Sequence, residues 1–194
     1  MRTLFALLTA FLITSTVSYA QRFAFGIKFT GLAIHPKKRT NAQLYQTKFD
    51  RKGYLVLNRG VTLSAEIGVY RKLGIKVAQA ILWRDCAGRF AALSHIGINI
   101  GGAGMTLGNT RHGISGSIGP MIYWRKSWKD LPGYTADDSW LKKRVTSPWE
   151  TKIIPVGGQA EYNYFFSKTY GASVNVLPGY PDVISIVAGI TGRQ

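Results

Sequence analysis

Six polar side chains have the types needed for nucleophilic catalysis, although they are scattered along the chain. If the segment near residue 106 forms a hairpin turn, His95 lies close to Ser117 and Asn99 lies close to Ser115. A carboxylate on the same face would complete a Ser–His–acid arrangement. The same side chains would also serve as an enclosed hydrogen-bonded network, because buried polar groups need partners. The set comprises Glu66, His95, Asn99, Ser115, Ser117 and Glu161. We favour the network.

A second pair, His35 and Asp182, has the types of a general base and the carboxylate that orients it. His35 follows the first predicted strand and continues the parity of its apolar face, while Asp182 begins the last predicted strand. If first and last strands are neighbours in a barrel, both side chains would face lipid, where they could hydrolyse an acyl ester. His35 also precedes Pro36, a position typical of a turn.

Basic residues form the third candidate site. The chain has 25 Lys and Arg against 9 Asp and Glu, a net charge of +16. Such an excess indicates an anionic partner. Arg and Lys bind phosphate strongly, so two runs are predicted to bind anions, unless they are simply solvated loops. These runs are Lys37, Lys38, Arg39 and Lys142, Lys143, Arg144.

Metal and cofactor sites are not predicted. His35, His95 and His112 fall on different segments, and the single cysteine, Cys86, has no neighbour at ligand spacing. The run Gly101-Gly102-Ala103-Gly104 lacks the strand-loop-helix context of a phosphate-binding loop and is more typical of a turn.

Alternation of apolar and small side chains predicts the elements that position these residues. Ile96, Ile98 and Ile100, for example, alternate with His95, Gly97 and Asn99. Period-two patterning places each set on one face of a strand. We predict eight strands, most of them long enough for the 9–11 residues that cross a membrane at a tilt. Their predicted bounds are 22–34, 61–71, 74–83, 89–101, 112–126, 151–166, 169–177 and 182–192, with a short hairpin extension at 54–58.

The second face of these strands distinguishes a membrane barrel from a soluble, lipocalin-like one. Solvated strand faces usually carry Lys, Glu and Arg, whereas this face holds mainly Ser, Thr, Asn, Gly and Tyr. Such residues suit the crowded interior of a small barrel whose outer face meets lipid. The sequence therefore predicts an all-β, up-and-down antiparallel transmembrane barrel of about eight strands, and the soluble barrel is the alternative.

The amino-terminal segment has the features of a secretory signal peptide. Arg2 precedes an apolar run from Leu4 to Ile13, and Ser18-Tyr19-Ala20 resembles a cleavage site. We therefore expect residues 1–20 to be removed and residues 21–194 to form one barrel domain. Export makes nucleic acid an improbable partner for the basic runs.

The predicted connections differ in length, and the longest, 35–60 and 127–150, both lie at one end of the barrel. In outer-membrane barrels the long loops face outward and the short turns face the periplasm. The signal peptide, the strands and this asymmetry resemble the small outer-membrane β-barrel proteins of Gram-negative bacteria. The resemblance implies an outer-membrane location and a structural or surface-binding role, with basic loops contacting lipopolysaccharide or a partner protein.

Two other functions are left open by the sequence. One is an ester hydrolase acting on lipid A through His35 and Asp182, although the His-x-Ser pattern of the outer-membrane lipid A deacylases is absent. The other is a subunit of a larger envelope complex.

Overall fold

The computed structural model describes residues 23–36, 40–70, 72–101, 111–135, 143–146, 148–179 and 183–194. A three-residue 3₁₀ helix, Ala42–Leu44, lies in the first long connection. No helix among these residues is long and apolar enough to cross a membrane. The strands within these ranges are β1 (Phe23–Ile34), β2 (Leu55–Tyr70), β3 (Leu73–Arg84), β4 (Ala91–Ile100), β5 (His112–Lys126), β6 (Lys143–Thr146), β7 (Trp149–Phe165), β8 (Tyr170–Gly179) and β9 (Val183–Arg193).

Eight of these strands close into an antiparallel barrel. The strands β1 to β5 pair in chain order, and so do β7, β8 and β9. The pairings of β1 with β9 and of β5 with β7 complete the circle. Closure removes the free edges that an open sheet would expose. The predicted fold class, an all-β, up-and-down antiparallel barrel of eight strands, is confirmed.

The short strand β6 lies outside this circle and was not predicted. It pairs with residues 149–152 at the start of β7. The recorded pairing of β8 with β7 covers only residues 160–165 of β7, so the start of β7 has an edge available. Four residues are too few to show a period-two pattern, which explains why the sequence did not reveal β6.

Strand β2 begins at Leu55 rather than at the predicted residue 61. Its first residues, predicted as a separate hairpin extension, continue the strand and pair with the end of β1. The register shifts between Arg59 and Gly60 on the side of β3, and between Thr30 and Leu32 on β1. Such bulges break the alternation on which the sequence prediction depended.

The two faces of the barrel differ sharply in chemistry. On β4, Ile98 is 61% exposed whereas Asn99 is fully enclosed. The same holds around the barrel: Phe29, Ile118 and Ile190 are exposed, and Ser, Thr and Asn side chains fill much of the interior. A soluble barrel would bury its isoleucines and wet its hydroxyls. The apolar exterior is that of a barrel whose strands meet hydrocarbon.

The two ends of the barrel also differ. One end, here called the long-loop end, carries the connections 35–54, 85–90 and 127–148 and the short connection 180–182. The other, the short-turn end, carries 71–72, 101–111 and 166–169. At the long-loop end the loops pack into a small apolar cluster over the barrel mouth. Its buried members are Ala33, Tyr45, Val56, Cys86, Ala87 and Trp128.

Candidate functional site

The lumen consists of two halves with different contents. The half nearer the short-turn end is packed with polar and charged side chains, whereas the half nearer the long-loop end contains an apolar chamber. Strand β3 shows the change along one face: Lys76 is enclosed in the polar half, and Leu82 lines the chamber.

A buried carboxylate is the centre of the polar half. Glu161 on β7 accepts hydrogen bonds from the Nζ atoms of Lys28 on β1, at 2.9 Å, and Lys76 on β3, at 2.5 Å. None of the three is more than 6% exposed. Glu66, also buried, is the cross-strand partner of Lys76. Two cations and two anions thus balance one another where unpaired charge would be very costly.

The sequence correctly placed Glu66 and Glu161 in the interior but missed the roles of Lys28 and Lys76. A signal was available. Each lysine sits between two exposed apolar residues on its strand, as Lys28 does between Ile27 and Phe29. A cation on the enclosed face of a membrane strand needs a counterion across the lumen.

The predicted proximity of His95 and Ser117 is confirmed. His95 Nε2 lies 2.8 Å from Ser117 Oγ, and Nδ1 lies 3.2 Å from the carbonyl oxygen of Pro120. Because a carbonyl can only accept, Nδ1 donates, and Nε2 of the neutral ring accepts from the serine hydroxyl. Neither ring nitrogen therefore contacts a carboxylate. Ser117 is 1% exposed and is not part of the chamber wall, so the pair functions as interior packing.

The midpoint of the β4–β5 hairpin lies two residues later in the chain than predicted. Asn99 pairs with Ser117, which puts the midpoint at residue 108 instead of 106. Ser115, which we expected beside Asn99, is instead the cross-strand partner of Glu161 on β7. His95 reaches Ser117 diagonally, because its direct partner is Met121.

The chamber in the long-loop half has a volume of about 220 Å³. Side chains from six strands form its apolar wall, and its floor lies at Thr30 and Thr62, whose hydroxyls bond to each other at 2.7 Å. The sequence led us to expect a lumen filled by polar side chains, and for this half that expectation is wrong. The wall comprises Leu82, Leu93, Met121, Ile154, Leu177 and Val187.

Buried polar groups hold the loops over the chamber. Asp85 accepts hydrogen bonds from the Trp128 indole at 3.0 Å and from the backbone N–H groups of Ala87 and Arg89. Burial of the Asp85 carboxyl raises its pKa, against the opposing effect of these hydrogen bonds. The side chain of Asn41 also bonds to the backbone of Thr135 in both directions. These contacts join the three longer connections at this end of the barrel.

A second group of contacts lies at the side of the mouth. Arg125 donates to Glu150 at 2.8 Å, and its guanidinium lies 3.6 Å from the centre of the Trp128 ring. Ser127 donates to the other oxygen of Glu150. The mouth is therefore lined by charged and hydrogen-bonding groups, while the space beneath it is apolar.

The prediction that His35 faces lipid is wrong. The bulge between Thr30 and Leu32 reverses the parity at the end of β1, so that Ala33 is enclosed and His35 lines the chamber mouth. Its ring lies against Tyr45, with centroids 5.1 Å apart. Asp182 lies outside the described residues, although the predicted pairing of β1 with β9 is confirmed. The lipid-facing His–Asp arrangement therefore loses its geometric basis.

Most residues of the predicted anion-binding runs lie outside the part of the chain that the structure describes. Lys37, Lys38, Arg39 and Lys142 lie outside the described residues. Lys143 and Arg144 begin β6, and only their backbone is described. Residues 1–20, the predicted signal peptide, also lie outside the described residues.

Comparison with known proteins gives structural similarity alone. No family model and no curated protein sequence matches the chain. The outer-membrane protein OprG from Pseudomonas aeruginosa superposes with a TM-score of 0.46 at 10% identity, covering 90% of this chain and 96% of that one. Ail, the attachment invasion locus protein of Yersinia pestis, in complex with the heparin analogue sucrose octasulfate, gives a TM-score of 0.46 and 11% identity, covering 90% and 97%.

At such low identity these values concern overall architecture, and the strand pairing described above establishes the fold independently of them. Fold and interior together define a class: an eight-stranded, up-and-down transmembrane β-barrel whose lumen is polar in one half and apolar in the other.

Proposed function

We propose that the protein is an outer-membrane barrel whose long-loop end faces outward and binds the phosphate groups of lipopolysaccharide. The apolar exterior supports membrane insertion, and the loop asymmetry supports this orientation. The role is one of surface binding, and a partner protein of the envelope is a further prediction from the sequence.

The observation that carries the anionic ligand is the charge of the long-loop end. Two acidic residues there, Asp85 and Glu150, are buried and already hydrogen-bonded. Asp130 is exposed and pairs with Arg89 at 3.7 Å, and Asp50 is half-buried and accepts a hydrogen bond from the backbone N–H of Leu55. The described cations outnumber the acids; they are Lys48, Arg51, Lys52, Arg59, Arg84, Arg89, Arg125, Lys126, Lys129 and Lys152.

Arg59 and Arg84 give this surface a specific focus. They are exposed cross-strand partners on β2 and β3. Like charges placed directly opposite each other destabilise a strand pair, and a phosphate held between them would relieve the repulsion.

The test is retention of lipopolysaccharide during purification. Reversing charge at Arg59 and Arg84, or at Lys37, Lys38 and Arg39, should weaken binding by about 1 kcal/mol, or roughly fivefold, as expected for two exposed ion pairs. Lys72→Glu and Lys168→Glu at the short-turn end are the matched controls and should retain lipopolysaccharide like the wild type. Equal retention by all variants would show that the basic loops do not contact it.

A further inference from the structure

The chamber in the long-loop half has the size of a ligand site. An apolar cavity of roughly 150 Å³ inside a protein can hold benzene, and this chamber measures about 220 Å³. Most of its wall is formed by aliphatic side chains and the thioether of Met121, which offer dispersion contacts, while Tyr123, Thr151 and Ser185 add hydroxyl groups. The occupant that such a wall favours is hydrocarbon.

The floor adds to this preference. The hydroxyls of Thr30 and Thr62 hydrogen-bond to each other, so the floor offers the chamber one hydroxyl proton rather than two free hydroxyl groups. Met121 packs beside Gly157, where an added Cβ would overlap the methionine sulfur. The floor therefore presents methyl and methylene groups and sets a limit on the length of a chain that enters from above.

The mouth has the opposite chemistry. His35, Asn58, Arg125, Glu150 and Lys152 provide hydrogen-bond donors and acceptors of both charges. A ligand with one polar end and one apolar end matches this division, since its head would remain among these groups while its tail descends.

The depth of the chamber indicates where such a ligand comes from. Leu82 on the inner face of β3 lies between Ile81 and Trp83, which are exposed on the outer face. The chamber is thus enclosed by a part of the barrel wall that carries apolar and aromatic residues outside. In the proposed membrane orientation this outer face meets lipid, which is therefore the nearest source of a hydrocarbon chain.

We propose that the chamber binds a single hydrocarbon chain of an amphipathic lipid, with the lipid head group at the mouth. This inference depends on the membrane insertion that the proposed function includes, and it is independent of the lipopolysaccharide contact.

Photocrosslinking tests it directly. The protein, isolated from membranes, is reconstituted in phosphatidylcholine vesicles with dodecanoic acid that carries a terminal diazirine, and the labelled residues are identified by mass spectrometry. We expect label on wall residues such as Leu93 and Met121, in addition to label on outward residues such as Ile98, which the surrounding lipid reaches.

Two substitutions of equal size separate the chamber from the exterior. Ala80→Phe fills the chamber and should reduce the label on wall residues about tenfold, because close packing leaves no room for a chain. Ala65→Phe, exposed on β2, should leave it unchanged. If Ala80→Phe does not fold, as judged by heat-modifiable gel mobility, Met121→Ala enlarges the chamber and should increase the label near Gly157.

Label confined to outward residues, or label on the wall that Ala80→Phe does not change, would overturn the proposal. Loss of label from outward residues as well would show instead that the barrel had not inserted into the vesicles. That result would count against the membrane insertion on which the proposed function depends. Loss of lipopolysaccharide retention alone bears on neither result.

Discussion

The two halves of the lumen are enclosed by the same barrel wall, but their side chains fill the interior in different ways. In the polar half, charges such as Lys28 and Glu161 compensate one another across the barrel, and each side chain depends on its partners. In the apolar half, aliphatic side chains line a chamber and depend on no particular neighbour. The comparison shows that one closed sheet can hold a tightly specified network, at Lys76, and an adaptable cavity, at Ala80, within one strand, β3.

The largest effect should come from removing the central carboxylate. Glu161→Leu leaves Lys28 and Lys76 buried without their shared counterion, and breaking a buried ion pair in this way costs about 3–5 kcal/mol. Reversible urea unfolding in vesicles measures the loss. The combination with Lys28→Met should restore most of it, because one cation, Lys76, then remains opposite one anion, Glu66. If Glu161→Leu alone were as stable as the wild type, the ion-pair network would not contribute to stability as described.

The two alanines of β3 sharpen the comparison most directly. Ala78 and Ala80 share the inner face, but Ala78 is the cross-strand partner of His95 in the packed half, whereas Ala80 lines the chamber. Ala78→Leu should cost about 1–3 kcal/mol through overpacking. Ala80→Leu has space available and should be neutral or stabilising in the same unfolding assay. Equal losses at both positions would show that the halves are equally packed.

A smaller effect is expected at the loops over the chamber. Because burial raises the pKa of Asp85 above its unfolded value, the folded state binds the proton more tightly. The stability of the loops should therefore be highest below the ordinary carboxyl pKa and should fall as the pH rises through the raised one. Asp85→Asn should lower the stability of the loops by about 1 kcal/mol, because an amide oxygen accepts weaker hydrogen bonds than a carboxylate. It should also flatten the pH dependence of that stability.

Tryptophan fluorescence is the measurement for this prediction, since the Trp128 indole donates to Asp85. Asp50→Asn is the control: Asp50 is half-buried, backbone hydrogen bonds lower the pKa of its carboxyl, and its effect on stability therefore has the opposite sign. If the fluorescence of Asp85→Asn retains the pH dependence of the wild type, Asp85 is not the responsible group.

Much of the barrel could be predicted from the sequence. Lipid outside the barrel and a crowded interior impose a strict alternation of apolar and polar side chains along each strand. Ile96, Ile98 and Asn99 could be assigned to faces from the sequence, and the contact between His95 and Ser117 followed from a single hairpin. The prediction failed at His35, because one extra residue in a bulge reverses every later side chain. The predicted start of β2 was wrong for the same reason, since the register shifts between Arg59 and Gly60.

Alternation reports which face a residue occupies but not what lies across the lumen from it. The sequence by itself determined the strands, the apolar exterior and the polar set on the opposite face, since these depend on local period and composition. Tertiary structure alone decided that Lys28 and Lys76 meet on Glu161, and that Leu82, Leu93 and Leu177 enclose a chamber. Both arrangements join residues from strands distant in the chain, whose relative positions depend on register, bulges and closure of the barrel.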